Sequence, residues 1–482
     1  MKVDFEKLDR AFHPRVVAVI GDSKLRNYDW TRGQLAGPKK KVYGVHVNPD
    51  SIKDLQALGV EAFGSILDIP EPVDLAIVSV SRNAAPAILD ELIKKDVATA
   101  HFFTAGFAET DTEEGRQLER QLVEKSEKTN FHLIGPNCMG LFNPAAGIKQ
   151  SGDQYDGISG PVGFISQSGS IAISFSFEAR LQGVTINKSV SYGNGIVLDS
   201  ADFLDYFARD PEIKVIAMYI EGVRNGNRFF SALKAAAAKK PVIIWKGGRT
   251  EEGGRAIASH TGSMAASQDL WEAAVRQCGA INVLTMDDLI DTTKALIFLP
   301  TVEGNRMAIA GGPGGQSVIS TDIFAEAGLN VPELTEESYA ELDTFFLKVG
   351  GSYRNPIDSA GPVRRDMKRV MGILAKDANI DNIFYIVSTR PGRNIGPEQL
   401  AETLDTLASI KKTSSKPLIT AVFFCTPDSQ SVCREVMFTL QDMGIPAFPS
   451  VPRAAAALKK ALVYYVGIRQ RNVTAKARNK TF

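Results

Sequence analysis

The amino-acid sequence predicts an α/β protein built from doubly wound parallel sheets, and three observations lead to this prediction. Runs of β-branched residues such as Val16–Ile20 and Val215–Ile220 are typical of strands buried on both faces. Helical segments such as residues 84–95 separate the strands, so that strand and helix alternate about every 25–30 residues. The chain has 482 residues, which at roughly 100–200 residues per domain indicates about three domains.

The composition indicates a folded protein without an overall charge preference. Hydrophobic residues make up 44% of the chain and charged residues 23%, which excludes disordered, collagen-like and coiled-coil classes. The 55 Lys and Arg residues balance the 55 Asp and Glu residues, so we expect no nucleic-acid partner.

The cellular location is predicted from the cysteines and from the absence of long apolar runs. Cys138, Cys278, Cys425 and Cys433 form no CxxC pair, which predicts a reducing, cytoplasmic location and no metal site. No stretch approaches the roughly 18–20 apolar residues that span a bilayer, so we expect no membrane partner.

The first predicted domain covers residues 1–147, and several of its predicted strands end at turn residues. The strand at Val16–Ile20 ends at Gly21, and later strands end near Asn48, Ser79 and Gly106. Because ligands of doubly wound sheets bind at the carboxyl ends of the strands, these positions mark the expected binding edge.

Two further domains are predicted at residues 148–300 and 301–482, after a loop-like, glycine-rich stretch at 145–160. Each opens with a strand, a glycine loop and a helix. Gly169 and Gly183 are fourteen positions apart, as are Gly314 and Gly328, which indicates that the two domains are copies of one unit.

Ser168, Gly169 and Ser170 open a helix after a buried strand in the second domain. Free backbone N–H groups, a positive helix end and two hydroxyls together suit a phosphate group, although a capped helix without ligand fits the same residues. Glu221 follows another buried strand, where its carboxylate could orient a histidine or be an ordinary strand-end acid.

His260 differs from the other histidines because it lies in a glycine-rich, polar stretch that predicts an exposed, mobile loop. Imidazole is a good nucleophile near neutral pH, so His260 could attack a phosphoryl group; a general base or an ordinary loop residue is also open. His46, His101 and His132 lie in apolar strand runs and are expected to pack in the interior, and His13 to lie at the surface.

Two turns at strand ends are expected at the margin of the site. One is GPNCMG (135–140), which contains Asn137 and Cys138, and the other is SYGNG (191–195), which contains Asn194. Cys138 is either a reactive thiol or, more commonly for such a residue, a buried inert one.

Six motifs occur in the order and spacing of one family. They are VAVIG (17–21), TAGFAE (104–109), GPNCMG (135–140), ISQSG (165–169), YIEG (219–222) and SHTGSMA (259–265). Together they resemble the NDP-forming acyl-CoA synthetases, and the likeness is greatest to the α subunit of ADP-forming acetate-type CoA ligases, relatives of succinyl-CoA synthetase. The resemblance covers nearly the whole chain and implies a Rossmann-like CoA-binding domain followed by two flavodoxin-like domains.

The resemblance also implies roles for individual residues. His260 resembles the histidine that carries phosphate between an acyl phosphate and ADP, and Glu221 resembles the glutamate that steadies phosphohistidine. The remaining assignments are phosphate binding by Ser168, Gly169 and Ser170, CoA binding by Gly21, Ser23, Asn48, Thr104, Ala105 and Gly106, and an acyl site with Asn137 and Asn194. The implied substrates are CoA, a small carboxylic acid and phosphate, with ATP or ADP and Mg²⁺ held by a partner.

Two departures from the family pattern leave alternatives open. The loop after the first strand, GDSKLRNYDWTRGQLAGPKKK, lacks the family's GASxxPGxVG pattern, so CoA would be held partly by Lys24, Arg26 or Trp30, or in a different way. No ATP-grasp domain is present in the sequence, which implies an ATP-grasp β subunit and an α2β2 assembly. A CoA-sensing regulator without turnover is the alternative, whereas a dinucleotide oxidoreductase fails because Gly21-Asp22-Ser23 is not GxGxxG.

Overall fold

The computed structural model describes residues 2–37, 40–261, 268–346, 351–358, 366–389, 396–423 and 429–479, and not the side chains of 257–261 and 472–479. The described chain forms two compact units. The first comprises Met1–Arg180 with Val184–Leu284, and the second Leu181–Gly183 with Thr285–Phe482.

The first sheet of the first unit is parallel throughout and has the strand order β3-β2-β1-β4-β5-β6, the order of a Rossmann fold. Its strands are β1 (Val16–Ile20), β2 (Lys41–Val45), β3 (Glu61–Phe63), β4 (Leu75–Val78), β5 (Thr99–Phe102) and β6 (His132–Ile134). The accompanying helices are α1 (Phe5–Phe12), α2 (Asp29–Leu35), α3 (Pro49–Ala57), α4 (Ala85–Lys94) and α5 (Glu113–Thr129).

The second sheet of this unit has the order β12-β11-β10-β8-β9-β7. Its five parallel strands follow the flavodoxin order 2-1-3-4-5, and β7 joins β9 in antiparallel orientation. The strands are β7 (Gly140–Phe142), β8 (Val162–Ser166), β9 (Ile186–Ser191), β10 (Val215–Ile220), β11 (Val242–Lys246) and β12 (Ile281–Val283). The helices are α6 (Gly169–Leu181), α7 (Ser200–Arg209), α8 (Gly226–Ala237), α9 (Glu251–Thr261) and α10 (Gln268–Cys278).

The second unit contains a parallel sheet of order β13-β14-β15-β16. Its strands are β13 (Met307–Ala310), β14 (Asn382–Ser388), β15 (Leu418–Phe423) and β16 (Ala447–Phe448). Its helices are α11 (Met286–Phe298), α12 (Gly314–Glu326), α13 (Glu336–Asp343), α14 (Met367–Lys376), α15 (Pro397–Thr413), α16 (Gln430–Asp442) and α17 (Val451–Asn479).

The strand β1 shows why the apolar runs form central strands. All five of its residues are buried. Val17 and Val19 belong to one hydrophobic cluster, whereas Val16, Ala18 and Ile20 belong to another. Side chains of a strand alternate between the two faces of the sheet, so a run that is buried on both faces must be apolar at every position. The predicted α/β fold class with parallel sheets is confirmed.

The glycine spacing in the two flavodoxin-like regions corresponds to equivalent elements. The helices α6 and α12 both have 13 residues and begin at Gly169 and Gly314. Gly183 and Gly328, which follow them, both have positive φ, at 73° and 77°. Glycine is favoured at such positions because a side chain disfavours the left-handed conformation.

Candidate active site

A cavity of 560 Å³ opens at strand ends of the first unit. Gly21 follows β1, Ser79 follows β4 and Thr104 follows β5 by two residues, and all three line the cavity. The carboxyl ends of the central strands therefore form one part of its wall, where an open parallel sheet places its ligands.

The flavodoxin-like sheet supplies another part of the wall. Ser168, Gly169 and Ser170 line the cavity from the start of α6, and Asn194 lines it from the turn after β9. The structure thus brings together residues that the sequence assigned to phosphate, CoA and acyl binding. These residues come from several separate segments of the chain, the first at position 21 and the last at position 194.

The electrostatics of this cavity favour an anion. Among the described residues that line it, Arg26 and Arg82 are charged and none is acidic. The positive end of α6 adds the unpaired backbone N–H groups of a helix start. Ser168 Oγ accepts a hydrogen bond from the backbone N of Ile171 at 3.4 Å and lies 3.1 Å from Ser170 Oγ.

Glu221 comes immediately after β10 and is connected to the cavity by Gln167. The Oε1 atom of Gln167 accepts hydrogen bonds from the backbone N of Glu221 at 2.8 Å and of Gly222 at 3.0 Å. Tyr219 donates to the Glu221 carboxylate at 3.3 Å, and the buried Lys246 donates to the Glu221 carbonyl at 2.7 Å. The turn that carries Glu221 is therefore held on several sides.

Asn137 and Asn194, which the sequence assigned to an acyl site, lie beside each other. Asn137 Nδ2 donates to Asn194 Oδ1 at 3.5 Å, and Asn137 has a φ of 57°. Asn194 Nδ2 donates to Glu109 at 2.7 Å and lies 3.3 Å from a carboxylate oxygen of Glu119. Two acidic side chains outside the cavity wall thereby fix the amide of Asn194.

The loop after β1 has its own architecture in place of the family's glycine-rich pattern. The buried Asp22 accepts hydrogen bonds from the backbone N of Ser23 at 3.1 Å and from the N and Oγ1 of Thr31, both at 2.8 Å. Burial raises the pKa of the Asp22 carboxyl. These contacts close the loop around residues 24–26 and leave Ser23 in the cavity wall.

Arg26 is the residue of this loop that brings positive charge to the cavity. Its guanidinium carbon lies 4.3 Å from the centre of the Phe103 ring, and both residues line the cavity. Trp30 is buried, and its ring centre lies 5.3 Å from that of Phe103. Neither Trp30 nor Lys24 lines the cavity. Of the three residues considered for CoA, the geometry favours Arg26.

Not every residue assigned to CoA lines the cavity. Thr104, Ala105, Gly21 and Ser23 do so, whereas Asn48 and Gly106 do not. Asn48 is exposed and caps α3, because its side chain accepts a hydrogen bond from the backbone N of Asp50 at 2.8 Å.

The sequence predicted that His260 lies on a loop. This prediction is wrong, because the backbone at His260 is helical. His260 is the penultimate residue of α9, which spans Glu251–Thr261. Glu251 and Glu252 stabilise the first turn, and Arg255 pairs with Glu251 at 2.9 Å one helical turn later. The side chain of His260 and residues 262–267 of its motif lie outside the described part of the chain.

Burial makes His101, His132 and Cys138 poor candidates for chemistry, whereas His46, which was expected in the interior, is only partly buried. His101 and His132 are buried, and burial lowers the pKa of His101 to about 3 and that of His132 to about 4. Burial raises the pKa of the Cys138 thiol to about 12, so the thiolate is disfavoured. His13 is exposed, as expected.

Neither a metal centre nor a membrane segment was found in the described ranges. In these ranges no three or more His, Cys, Asp or Glu side chains form a group that could hold a metal ion. No helix among them is both long and apolar enough to cross a membrane.

Sequence reasoning missed Gln167, Arg82 and Glu109. Gln167 and Glu109 both lie inside motifs that the sequence singled out, ISQSG and TAGFAE, but their contacts are made with residues 54 and 85 positions away. The available signal was a polar side chain inside a motif that follows a strand, and this signal does not reveal the contact partner.

Two family models match the chain. Residues 15–144 match a CoA binding domain, and residues 159–296 match the flavodoxin-like domain of succinyl-CoA ligase. These ranges coincide with the Rossmann-ordered sheet and with most of the flavodoxin-ordered sheet.

Characterised proteins with related sequences extend the likeness to nearly the whole chain. The α subunit of ADP-forming acetate–CoA ligase II from Pyrococcus furiosus is 34% identical over 460 residues, which cover 95% of this chain and 97% of the relative. ADP-forming acetate–CoA ligase I from Archaeoglobus fulgidus is 35% identical over 79% of this chain but only 55% of its own length. Some relatives are therefore longer single chains, whereas others are separate α subunits.

A solved structure agrees with the sequence relatives. A dinucleotide-forming acetyl-coenzyme A synthetase from Ca. Korarchaeum cryptofilum, in complex with phosphate and ADP, superposes with a TM-score of 0.84 at 30% identity. The match covers 97% of this chain and 98% of the other. The identity, its extent and the two domain models together show that this chain belongs to the ADP-forming acyl-CoA synthetase family and is of the α-subunit type.

Proposed function

We propose that this chain is the catalytic α subunit of an enzyme that joins a small carboxylic acid to CoA, with conversion of ATP to ADP and phosphate. The observation that carries the proposal is one positively charged cavity that the start of α6, the strand ends of the Rossmann-ordered sheet and the Asn137–Asn194 pair all line. The domain division 1–147, 148–300 and 301–482 is part of this proposal.

In the proposed reaction, His260 is the phosphate carrier. A carboxylate oxygen of the acid attacks the phosphorus of phosphorylated His260, the P–N bond breaks, and acyl phosphate forms. The CoA sulfur then attacks the acyl carbon, the bond to phosphate breaks, and acyl-CoA and inorganic phosphate leave. All steps are reversible, so an acyl phosphate can also phosphorylate His260 for transfer to ADP.

The phosphate-handling residues are Ser168, Gly169, Ser170 and Glu221. The start of α6 offers backbone N–H groups and two hydroxyls to the phosphoryl oxygens. Glu221 would accept a hydrogen bond from one imidazole N–H of His260. This contact would stabilise the positive charge that develops on the imidazole when its other nitrogen binds phosphorus. The contacts of Gln167 and Lys246 with the Glu221 backbone support a fixed carboxylate.

CoA and the acyl group share the remaining wall. Thr104, Ala105, Gly21 and Ser23 would bind CoA, with Arg26 meeting its phosphates. Gly106, next to Ala105, and Asn48 remain part of the CoA assignment although they do not line the cavity. Asn137 and Asn194 would hold the acyl group.

The nucleotide belongs to a partner subunit in this proposal. The α-subunit relatives imply a partner, and the longer single-chain relatives fit a fused arrangement of the same parts. We propose an ATP-grasp β subunit that holds ATP or ADP with Mg²⁺, an α2β2 assembly, and a cytoplasmic enzyme. The alternative of a CoA-sensing regulator is not favoured, because the relatives are named ligases.

Phosphoryl labelling tests the proposal. The protein is mixed with a candidate β subunit and Mg-ATP labelled at the γ-phosphate, and we expect an acid-labile, base-stable label on this chain. The label should be absent from His260→Ala and reduced in Glu221→Gln. An unlabelled wild-type chain, or a label that persists in His260→Ala, would contradict a phosphohistidine mechanism.

A further inference from the structure

The carboxylate of Glu109 is shared by two segments that line the cavity. It accepts hydrogen bonds from the backbone N of Gly106 at 2.6 Å and from the backbone N of Phe107 at 3.1 Å. These two residues follow Thr104 and Ala105 in the proposed CoA loop. The Oε2 atom, which accepts the hydrogen bond from Phe107, also accepts one from Asn194 Nδ2 at 2.7 Å, whereas Gly106 donates to Oε1.

This contact decides which way the amide of Asn194 faces. A carboxylate only accepts hydrogen bonds, so the NH₂ end of Asn194 must point to Glu109 and to the nearby Glu119. Its carbonyl oxygen is then left for Asn137 Nδ2, at 3.5 Å. Asn137 in turn is oriented by a partner whose own orientation depends on Glu109.

Glu119 provides a second, buried acceptor beside the first. Its carboxylate lies 2.8 Å from Arg224 and 3.4 Å from the backbone N of Ala108. Hydrogen bonds to ionised groups are stronger than neutral ones, so this network is a firm connection between the turn at residues 106–109 and the turn at Asn194.

The helix that carries His260 packs on the same turn. Helix α9 contacts the 3₁₀ turn Ala108–Thr110, in which Glu109 is the central residue. The CoA loop, the acyl-site asparagines and the phosphate-carrier helix therefore all contact one short segment of the chain.

We propose that Glu109 is a positioning residue that fixes the CoA loop relative to the acyl-site asparagines, so that the CoA sulfur and the acyl carbon meet in a reactive geometry. This role rests on the proposed function. Orientation of two reactants is worth a large rate factor, and small displacements reduce it strongly. Loss of the Glu109 contacts should slow acyl transfer to CoA without preventing phosphorylation of His260.

The test compares Glu109→Gln with Glu113→Gln in the full-length chain. Glutamine keeps the size of Glu109 but turns one acceptor into a donor, which must face either the backbone N–H of Gly106 or the NH₂ group of Asn194, so one of these contacts is lost. Glu113 is an exposed carboxylate that pairs with Arg116 and Arg120 on the surface, so Glu113→Gln is the matched control. Formation of acetyl-CoA from acetyl phosphate and CoA is measured, together with the affinity for CoA by calorimetry.

For Glu109→Gln we expect at least a tenfold lower kcat for acetyl transfer and a higher KM for CoA, with the label on His260 from ATP and the β subunit unchanged. Glu109→Asp, which keeps the charge, should recover part of the rate. Wild-type kinetics in Glu109→Gln would overturn the proposal, as would a folded variant in which labelling and acyl transfer fall in parallel. If the wild type takes no label while Glu109→Gln still loses CoA affinity and acetyl transfer, the phosphohistidine proposal fails and the positioning role stands.

Discussion

Arg26 is the residue of the altered loop after β1 that we propose meets the phosphates of CoA. The segment after β1 lacks the glycine-rich family pattern, and the buried carboxylate of Asp22 organises it by hydrogen bonds to Ser23 and Thr31. The result places Arg26 against the ring of Phe103 at the cavity. Arg82, the other cation of the wall, already donates to Glu114 at 2.5 Å and to Gly106 O at 3.1 Å.

We predict that Arg26→Gln weakens CoA binding about tenfold, or about 1.4 kcal/mol, because a hydrogen bond to a charged group contributes roughly 1.5–3 kcal/mol. Calorimetry with CoA, dephospho-CoA and pantetheine measures the effect. The loss should be largest for CoA and absent for pantetheine, which has no nucleotide phosphates.

The control for Arg26 is Arg32→Gln in the helix α2 that follows this loop. Arg32 is exposed and donates to the carbonyl of Asn27 at 2.9 Å, and it does not line the cavity. Its replacement should leave the dissociation constants within about twofold of the wild type. Equal losses for CoA and pantetheine in Arg26→Gln would show that the arginine acts on the shape of the loop and not on phosphate.

At the scale of elements, the junction of β1 with its loop depends on a glycine. Gly21 has a φ of 78°, and a Cβ there would lie 2.6 Å from the Val80 side chain and 2.7 Å from Ser79 O. Both the conformation and the close approach of β4 therefore exclude a larger residue without a shift of the backbone.

Gly21→Ala is expected to lower the free energy of unfolding by about 1–3 kcal/mol, because it combines strain in the left-handed region with a steric clash. CoA affinity should fall as well, since the loop begins at this residue. Urea unfolding and calorimetry provide the two measurements.

Gly64→Ala is the matched control, because no atom lies within 4 Å of a Cβ at Gly64 and its φ is not in the left-handed region. A change of less than about 1 kcal/mol is expected there. A Gly21→Ala protein as stable as the Gly64→Ala protein would show that the turn can relax at no cost.

Helix α9 shows the limit of composition as a guide to an element. The glycines around residues 247–262 predicted a loop, but Glu251, Glu252 and Arg255 provide the charges that a helix start favours, and residues 251–261 are helical. Glycine disfavours a helix by only about 1 kcal/mol per residue, so a few favourable contacts can compensate. The strands, in contrast, were predicted well because their apolar runs leave no alternative to burial.

At the scale of the whole molecule, charge is distributed unevenly although the total is zero. Lys and Arg together equal Asp and Glu in number, yet the described residues that line the cavity include two arginines and no acid. The local electric field of the cavity and the helix ends therefore attract the anionic substrates, whereas the net charge of the molecule does not. The cavity-lining residues that the structure describes all belong to the first unit.

This location predicts that a fragment of residues 1–284 folds and binds CoA with an affinity within about threefold, or about 0.7 kcal/mol, of the full chain. The fragment contains both sheets of the first unit and every residue that lines the cavity. Circular dichroism measures the folding of the fragment, and calorimetry measures its affinity for CoA. Acyl-CoA synthesis from ATP should be absent without the β subunit. A folded fragment that binds CoA ten times more weakly would mean that residues beyond 284 contribute to the site.

The sequence by itself determined the parallel α/β sheets, the hydroxyl-bearing start of α6 and the ordered motifs of the family. These features depend on local periodicity and on turn residues, which a linear pattern carries. Only the tertiary structure decided that Gln167 holds Glu221, that Glu109 orients Asn194 and that Arg26 lies on Phe103. Such contacts join segments 54 to 85 residues apart, and they depend on strand order and side-chain packing, which no local pattern specifies.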